Sequence, residues 1–354
     1  MGSKWEKVKL SDAATVTNGK SDVKDALDYG KYVFFDRSVL RKYSNKFLFD
    51  TEAIIIPGED SRQIFEPRYF EGKFDLHQRC YAVFDFKANF LAKYFYYKLK
   101  TLTAHFANVC VGSTVPSLRL ANITDLVIKV PDLPTQRAIA RVLSQLDEKI
   151  ELNRKINAEL ETLASTIFIF NFVQNADPNW KRVLIGDIAE VIRGTTITEK
   201  QAQAGNVKVV AGGLDFAYFH NKHNREKYTI TVSGSGNAGF VNFWHERIFA
   251  SDCTTVRGKT DFDTFIIYEF LKWQQEAIYI KAKGAVQQHV YPSDIKSISF
   301  YDIPKDIKDK FAPTYTAIHE QTAKNINENY ELAALRDYLL PLLMNGQVTV
   351  EGIA

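Results

Sequence analysis

The chain has 354 residues, 45% of them hydrophobic and 25% charged, which is room for two domains of about 150 residues and too apolar for wholesale disorder. Its 45 Lys and Arg against 42 Asp and Glu give a formal net charge of +3, so charge alone singles out no polyanionic partner. Cys80, Cys110 and Cys253 never stand in C-x-x-C spacing, against a disulfide framework or structural zinc, and with no bilayer-length apolar run and no signal-peptide core after Met1 a soluble, cytoplasmic chain away from membranes is expected.

The opening segment reads Trp5-x-x-Val8-x-Leu10-x-Asp12-x-Ala14-x-Val16-x-x-Gly19. It lies in the most basic stretch, residues 1–130, with 20 Lys and Arg against 15 Asp and Glu. Apolar and aromatic runs at Ala53–Ile56 and Tyr81–Phe86 predict strands, and Leu91–Lys100 predicts a helix. After Pro134 the positions Ile139, Leu143, Leu146, Ile150, Asn153, Asn157, Leu160, Ala164 and Ile167 alternate in steps of 4 and 3. That is a helical seam of about four heptads, with asparagines where pairing register is commonly fixed. A second apolar stripe, Leu152, Ile156, Leu163 and Phe170, calls for another partner, a domain of this chain or another subunit.

The opening then returns. Trp180-x-x-Val183-x-Ile185-x-Asp187-x-Ala189-x-Val191-x-x-Gly194 repeats it at a shift of 175 residues. Ile54–Gly58 corresponds to Ile230–Gly234 at 176, and Gly112, Leu118, Ile123, Leu126 and Ile128 to Gly284, Val290, Ile295, Ile298 and Phe300 at 172. Strands are predicted at Val207–Val210 and Tyr228–Val232, a helix at Thr264–Ala277, and turns at Gly212-Gly213 and Gly234-Ser235-Gly236-Asn237. Shifting the seam by 172 gives Phe311, Tyr315, Ile318, Thr322, Asn325, Asn329, Leu332, Arg336 and Leu339. Thr322 and Arg336 weaken this second helix, and Pro313 is expected to break its first turn. Either helix alone would expose its seam, so the two are expected to pack on each other. The fold class is therefore α+β: two similar mixed α/β domains and two long antiparallel helices in a pseudo-two-fold internal repeat. Its boundaries are 1–132, 133–175, 176–303 and 304–354.

Catalytic constellations do not emerge. There is no G-x-x-x-x-G-K-[ST] phosphate loop and no Asn- or Asp-Pro-Pro-aromatic tetrapeptide; Asp177-Pro178-Asn179-Trp180 is only superficially similar to one. Pro131-Asp132 with Asp147-Glu148-Lys149 imitates a nuclease, but Asp147 and Lys149 fall on the predicted helix. His220-x-x-His223 and His319 lack ligand spacing, and Gly234-x-Gly236-x-x-Gly239 lacks a surrounding βαβ unit. No metal site is expected, and a recognition or scaffold device is a better reading than an enzyme.

Pro131-Asp132-Leu133-Pro134-Thr135-Gln136-Arg137-Ala138-Ile139-Ala140, then Leu143-Ser144-x-Leu146-Asp147-x-x-Ile150 and Asn157-x-x-Leu160-Glu161-x-Leu163-Ala164, resembles the central conserved region of DNA-specificity (S) subunits of type I restriction–modification enzymes. Leu335-Arg336-Asp337-Tyr338-Leu339-Leu340-Pro341-Leu342-Leu343-Met344-Asn345-Gly346 is similar to that family's second conserved region. The resemblance spans the whole chain and makes the two variable regions target-recognition domains. It implies that each reads one half of a bipartite, asymmetric site in double-stranded DNA, with the helix pair setting the half-site spacing. Two methyltransferase (modification) subunits and restriction subunits would be the partners. S-adenosylmethionine and ATP would bind only those subunits, and this chain would be non-catalytic.

For DNA contact the polar loops after the repeat anchors are favoured: Arg62, His77, Gln78, Arg79, Ser113, Thr114 and Ser117 in the first half, and Ser233, Ser235, Asn237, Lys283, Gln287, Gln288 and His289 in the second. Gln, Asn, His and Arg pair with base edges, and small Gly and Ser loops admit a phosphate. The alternative from another class is a coiled-coil scaffold that binds partner helices and no DNA.

Overall fold

The computed structural model describes residues 5–38, 40–112, 114–281 and 289–350. The chain forms two compact units, Met1–Ile150 with Glu331–Ala354, and Glu151–Tyr330. Each unit takes a segment of both long helices.

In the first unit a six-stranded sheet runs in the order Thr15–Asn18, Cys80–Phe84, Phe49–Pro57, Arg68–Leu76, Tyr32–Phe35, Lys42–Ser44. Only Tyr32–Phe35 and Arg68–Leu76 pair in parallel. The run Ala53–Ile56 is buried on both faces because its period-2 alternation serves two cores. Ile54 and Ile56 pack with Tyr94, Phe95 and Leu99 of the helix Ala92–Lys100, and Ala53 and Ile55 pack with Phe74 and Leu76 on the other side. A short ribbon pairs Glu6–Lys9 with Val127–Val130.

The second unit repeats the centre of this plan. Ala189–Arg193, Cys253–Gly258, Thr229–Ser233 and Val241–Trp244 form an antiparallel sheet, and Arg182–Leu184 pairs with Ser299–Tyr301. Phe216–His220, Val207–Val210 and Ile248–Ala250 make a separate three-stranded sheet. The helix Asp261–Trp273 starts on a capping box between Thr260 and Asp263 and buries Phe265, Ile266 and Leu271, each worth about 2 kcal/mol of transfer free energy.

The first long helix, Leu133–Phe168, begins where the carboxylate of Asp132 accepts the Thr135 N–H at 2.9 Å, an N-terminal cap. Buried Gln136 donates to the carbonyls of Pro131 and Asn89 and accepts from the Leu91 N–H, tying the helix start to the loop before Ala92–Lys100. The second long helix runs unbroken from Lys305 to Met344, so the expected interruption at Pro313 does not occur. Pro313 and Asp309, whose carbonyl loses its intrahelical donor, are both exposed. The carbonyl lies in an exposed turn open to solvent, while Phe311 and Tyr315 hold the turn in the core of the second unit.

The seam forms as the spacing predicts. Ile139, Leu143, Ile150 and Asn153 are buried, and Leu146, Asn157, Leu160, Leu332 and Leu339 half-buried. In the second unit Asn153 donates to Asn329 at 3.0 Å and to Glu328 at 2.8 Å, and Asn325 donates to Asn157 at 2.8 Å. A shift of 172 turns the 153–329 pair into the 325–157 pair, which is what an antiparallel pseudo-dyad requires. In the first unit Arg336 takes a seam position and bonds Asp147 at 2.7 Å.

Candidate nucleic-acid interface

Both units build the same corner from three backbone approaches. The Gly19 N–H donates to the Cys80 carbonyl at 3.0 Å, and the Gly194 N–H to that of Cys253 at 2.8 Å. A methyl group on Gly19 would lie 2.1 Å from the Leu76 carbonyl oxygen, and one on Gly194 2.2 Å from that of Ser251, so only glycine fits. The Leu118 N–H donates to the Gly58 carbonyl at 2.8 Å, as Val290 does to Gly234 at 3.2 Å. These bonds gather the ends of the central strands and the described parts of the loops chosen from the sequence at one edge of each sheet.

In the first unit Gly58 carries the loop Glu59 to Arg62, and its N–H donates to the Arg79 carbonyl at 2.8 Å. Glu59 bridges to Ser117, and Ser117 donates its hydroxyl to the Val115 carbonyl at 3.1 Å. Arg62, Gln78, Arg79 and Thr114 are exposed on this edge. Gln78 also bonds Asp22 at 3.1 Å. His77 corrects the sequence reading. It is buried, its Nδ1 accepts the Arg79 N–H at 3.2 Å, and burial lowers its pKa below the ordinary histidine value. It braces the loop as a neutral ring and does not face outward.

The sequence reading missed Arg37. Its guanidinium bonds Glu59 at 2.6 Å, while Arg79 holds the other oxygen of the same carboxylate. Strand pairing 22 residues away brings Arg37 there, and no local pattern signals it. The loop behind it is tied to the neighbouring strand by Arg68. Arg68 donates to the carbonyls of Asp36 and Ser38 and lies over the Phe35 ring. Burial would raise the Asp36 carboxyl, but bonds from Lys42 and Ser38 outweigh it and hold it below the usual range.

In the second unit the corresponding edge is Ser233 to Asn237. Ser233 is buried and donates to the Gly213 carbonyl at 3.2 Å, a second correction: it supports the turn from inside. Ser235 donates to Asp252, which also receives Arg193 at 3.2 Å. Asn237 is exposed after Gly236, whose φ of 68° suits glycine. The half-buried ring of His289 faces Tyr291. Ser113, Lys283, Gln287 and Gln288 lie outside the described residues.

The nuclease-like carboxylates are structural. Asp132 caps the first long helix, and Asp147 accepts from Tyr97 and Arg336. The Gly234 to Gly239 segment joins two antiparallel strands, which is no dinucleotide cradle. Among the described residues no helix is long and apolar enough to cross a membrane. Three of the four residues of the second apolar stripe stay uncovered, Leu152 51% exposed, Leu163 47% and Phe170 57%, while Ile156 is half-buried.

A family model described as the type I restriction modification DNA specificity domain matches residues 2–162 and again 178–328. The chain is 25% identical over 308 residues to the type I restriction enzyme MjaIX specificity subunit of Methanocaldococcus jannaschii, covering 75% of this chain and 71% of that one. It is 30% identical over 149 residues to the EcoDI specificity subunit of Escherichia coli, covering 42% of this chain and 32% of that one. The solved S subunit of a type I restriction–modification system from M. genitalium shares its fold, with a TM-score of 0.61 and 20% identity over 96% of both chains.

Proposed function

This chain belongs to the type I restriction–modification DNA specificity family, and from that premise we propose that it reads a bipartite, asymmetric site in double-stranded DNA, one half-site per unit. The observation that supports this most is one backbone corner presented twice with different side chains: Glu59 between Arg37 and Arg79 in one unit, Ser235 with Asp252 and Arg193 in the other. A shared frame gives both domains one way of meeting a duplex, while unlike side chains give unlike base preferences.

The long helices act as the ruler between half-sites, and two modification subunits dock on them through the uncovered stripe of Leu152, Leu163 and Phe170. Restriction subunits join that complex. The chain carries no chemistry of its own; S-adenosylmethionine and ATP bind the partners, in the cytoplasm. Asp132 and Asp147 are already spent on the helix start and on Arg336, which removes the carboxylate pair most similar to a nuclease centre.

The test is a map of DNA methylation in cells expressing the chain with its modification subunits. A split, non-palindromic motif with a fixed gap is expected. Adding one heptad to both helices in phase lengthens each helix by about 10.5 Å and should widen the gap by roughly three base pairs. The scaffold alternative wins if the complex, at about 150 mM salt, binds all duplexes equally and methylates none, since phosphate contacts alone are sequence-blind and salt-sensitive.

A further inference from the structure

We infer that Glu59 is a positioning residue that aims Arg37 and Arg79 at the major-groove edge of a guanine, so that the half-site read by the first unit contains a G·C pair that these arginines specify. This rests on the DNA-recognition reading above.

Glu59 is 7% exposed, a carboxylate with almost no water. Each of its oxygens holds one guanidinium: Arg37 on Oε2 at 2.6 Å, Arg79 on Oε1. Each arginine spends one N–H on the acid and keeps four of its five donors. Their side chains remain 46% and 58% exposed, so the free donors face outward. The main chain behind both is fixed. Arg79 is held at its N–H by His77 and at its carbonyl by Gly58, and Arg37 sits on the loop that Arg68 fastens from below.

A planar fork held by a buried acid is pre-organised, so little side-chain entropy is lost on contact. Guanine offers two acceptors, O6 and N7, at the spacing of that fork; other bases do not. A phosphate clamp needs positive charge more than direction, whereas a buried acid lowers the charge of the cluster and adds direction. Among its described residues the second unit has no such pair: Ser235 stands where Glu59 stands, at a shift of 176, and Asp252 where Arg79 stands, at 173.

The test selects duplexes from a randomised library with the full chain in complex with its modification subunits, comparing wild type, Arg37→Ala, Arg79→Ala, Glu59→Gln, Glu59→Asp and Arg193→Ala. In the wild-type motif one half-site should hold a guanine whose preference falls at least about 10-fold in Arg37→Ala or Arg79→Ala. Glu59→Gln should relax the same position, Glu59→Asp should partly restore it, and Arg193→Ala should leave that half-site unchanged. Replacing that guanine by 7-deazaguanine, which lacks N7, should weaken wild-type binding about 10-fold and the arginine variants far less. Unfolding midpoints of the same variants separate misfolding from lost readout. The inference is overturned if Arg37→Ala and Arg79→Ala weaken all sequences alike with an unchanged motif, which marks phosphate contacts, or if the half-site they alter contains no guanine. If wild type enriches no sequence at all, the DNA-recognition reading itself has failed, a different result from a guanine-free motif.

Discussion

The two units share the backbone of one corner and differ in the side chains set on it. Gly19 and Gly194, Cys80 and Cys253, Leu118 and Val290 make the same hydrogen bonds in each. Where side chains alone decide, the copies part. Asp147 and Arg336 form an ion pair at the seam of the first unit; their counterparts at a shift of 172 are His319 and Ala164. There His319 stacks on Phe265 at 3.9 Å, and the Ala164 carbonyl accepts from Tyr315. The buried ionisable group of the sheet-covering helix also changes sign. Lys98 donates to the Met344 carbonyl in the first unit, whereas Glu269 accepts from Ser165 in the second. Close backbone approach tolerates no substitution, but a side-chain pair can be exchanged for one of different charge and size when its neighbours repack.

The largest expected effect tests the shared frame. Gly19→Ala and Gly194→Ala each drive a methyl group into a carbonyl oxygen and should cost about 3 kcal/mol or more in urea unfolding, in matched amounts. A tolerated alanine in either copy breaks the equivalence of the corners.

Next comes the unequal buried charge. Burial pushes the Glu269 carboxyl up to about 7, and the Ser165 bond offsets only part of this. A folded pKa above the unfolded value means that this group's contribution is full below about pH 4.5 and lost as pH rises through 7. Glu269→Gln should therefore gain nothing near pH 4.5 and about 3 kcal/mol at pH 8. A gain that does not vary with pH would show that the carboxyl is ionised in the fold. His245 and His319, lowered by burial to about 4 and about 3, act in the other direction: they remove stability as pH falls below about 6.5.

Arg336→Ala leaves Asp147 with Tyr97 alone and should cost about 1–2 kcal/mol, discounted because both partners are partly exposed. The second unit already has Ala164 at the matching place, so the comparison there is His319→Ala, which loses no ion pair: high salt should shrink the first cost and leave the second unchanged. The smallest effect probes the pseudo-dyad. Asn325→Ala removes one interhelical amide bond and should cost about 1 kcal/mol, while Asn153→Ala also loses its bond to Glu328 and should cost more. Equal values from chemical denaturation would show that the Glu328 bond adds nothing and that the helix pair is exchange-symmetric in energy.

Much of the fold is legible in the sequence. The strand expected at Val207–Val210 is the observed one, and the seam asparagines pair across the helices as their spacing implies. The strand at Ala53–Ile56 extends to Phe49–Pro57 because edge residues with weak local preference join a ladder once a neighbour is present. The candidate site was legible at the level of loops and less so by residue. Polar type placed His77 and Ser233 outward, but both bury to satisfy backbone groups behind the loops they belong to.

Sequence by itself determined the repeat and the two long helices, because periodicity acts over a few residues. It also gave the family, since the helix-start and closing motifs are contiguous. Tertiary structure decided which polar side chains meet. Arg37 and Arg79 reach Glu59 across 22 and 20 residues, and Pro313 remains helical because Tyr315 is buried beside it. Such outcomes depend on strand pairing and core packing, energies summed over partners far apart in the chain that no local window contains.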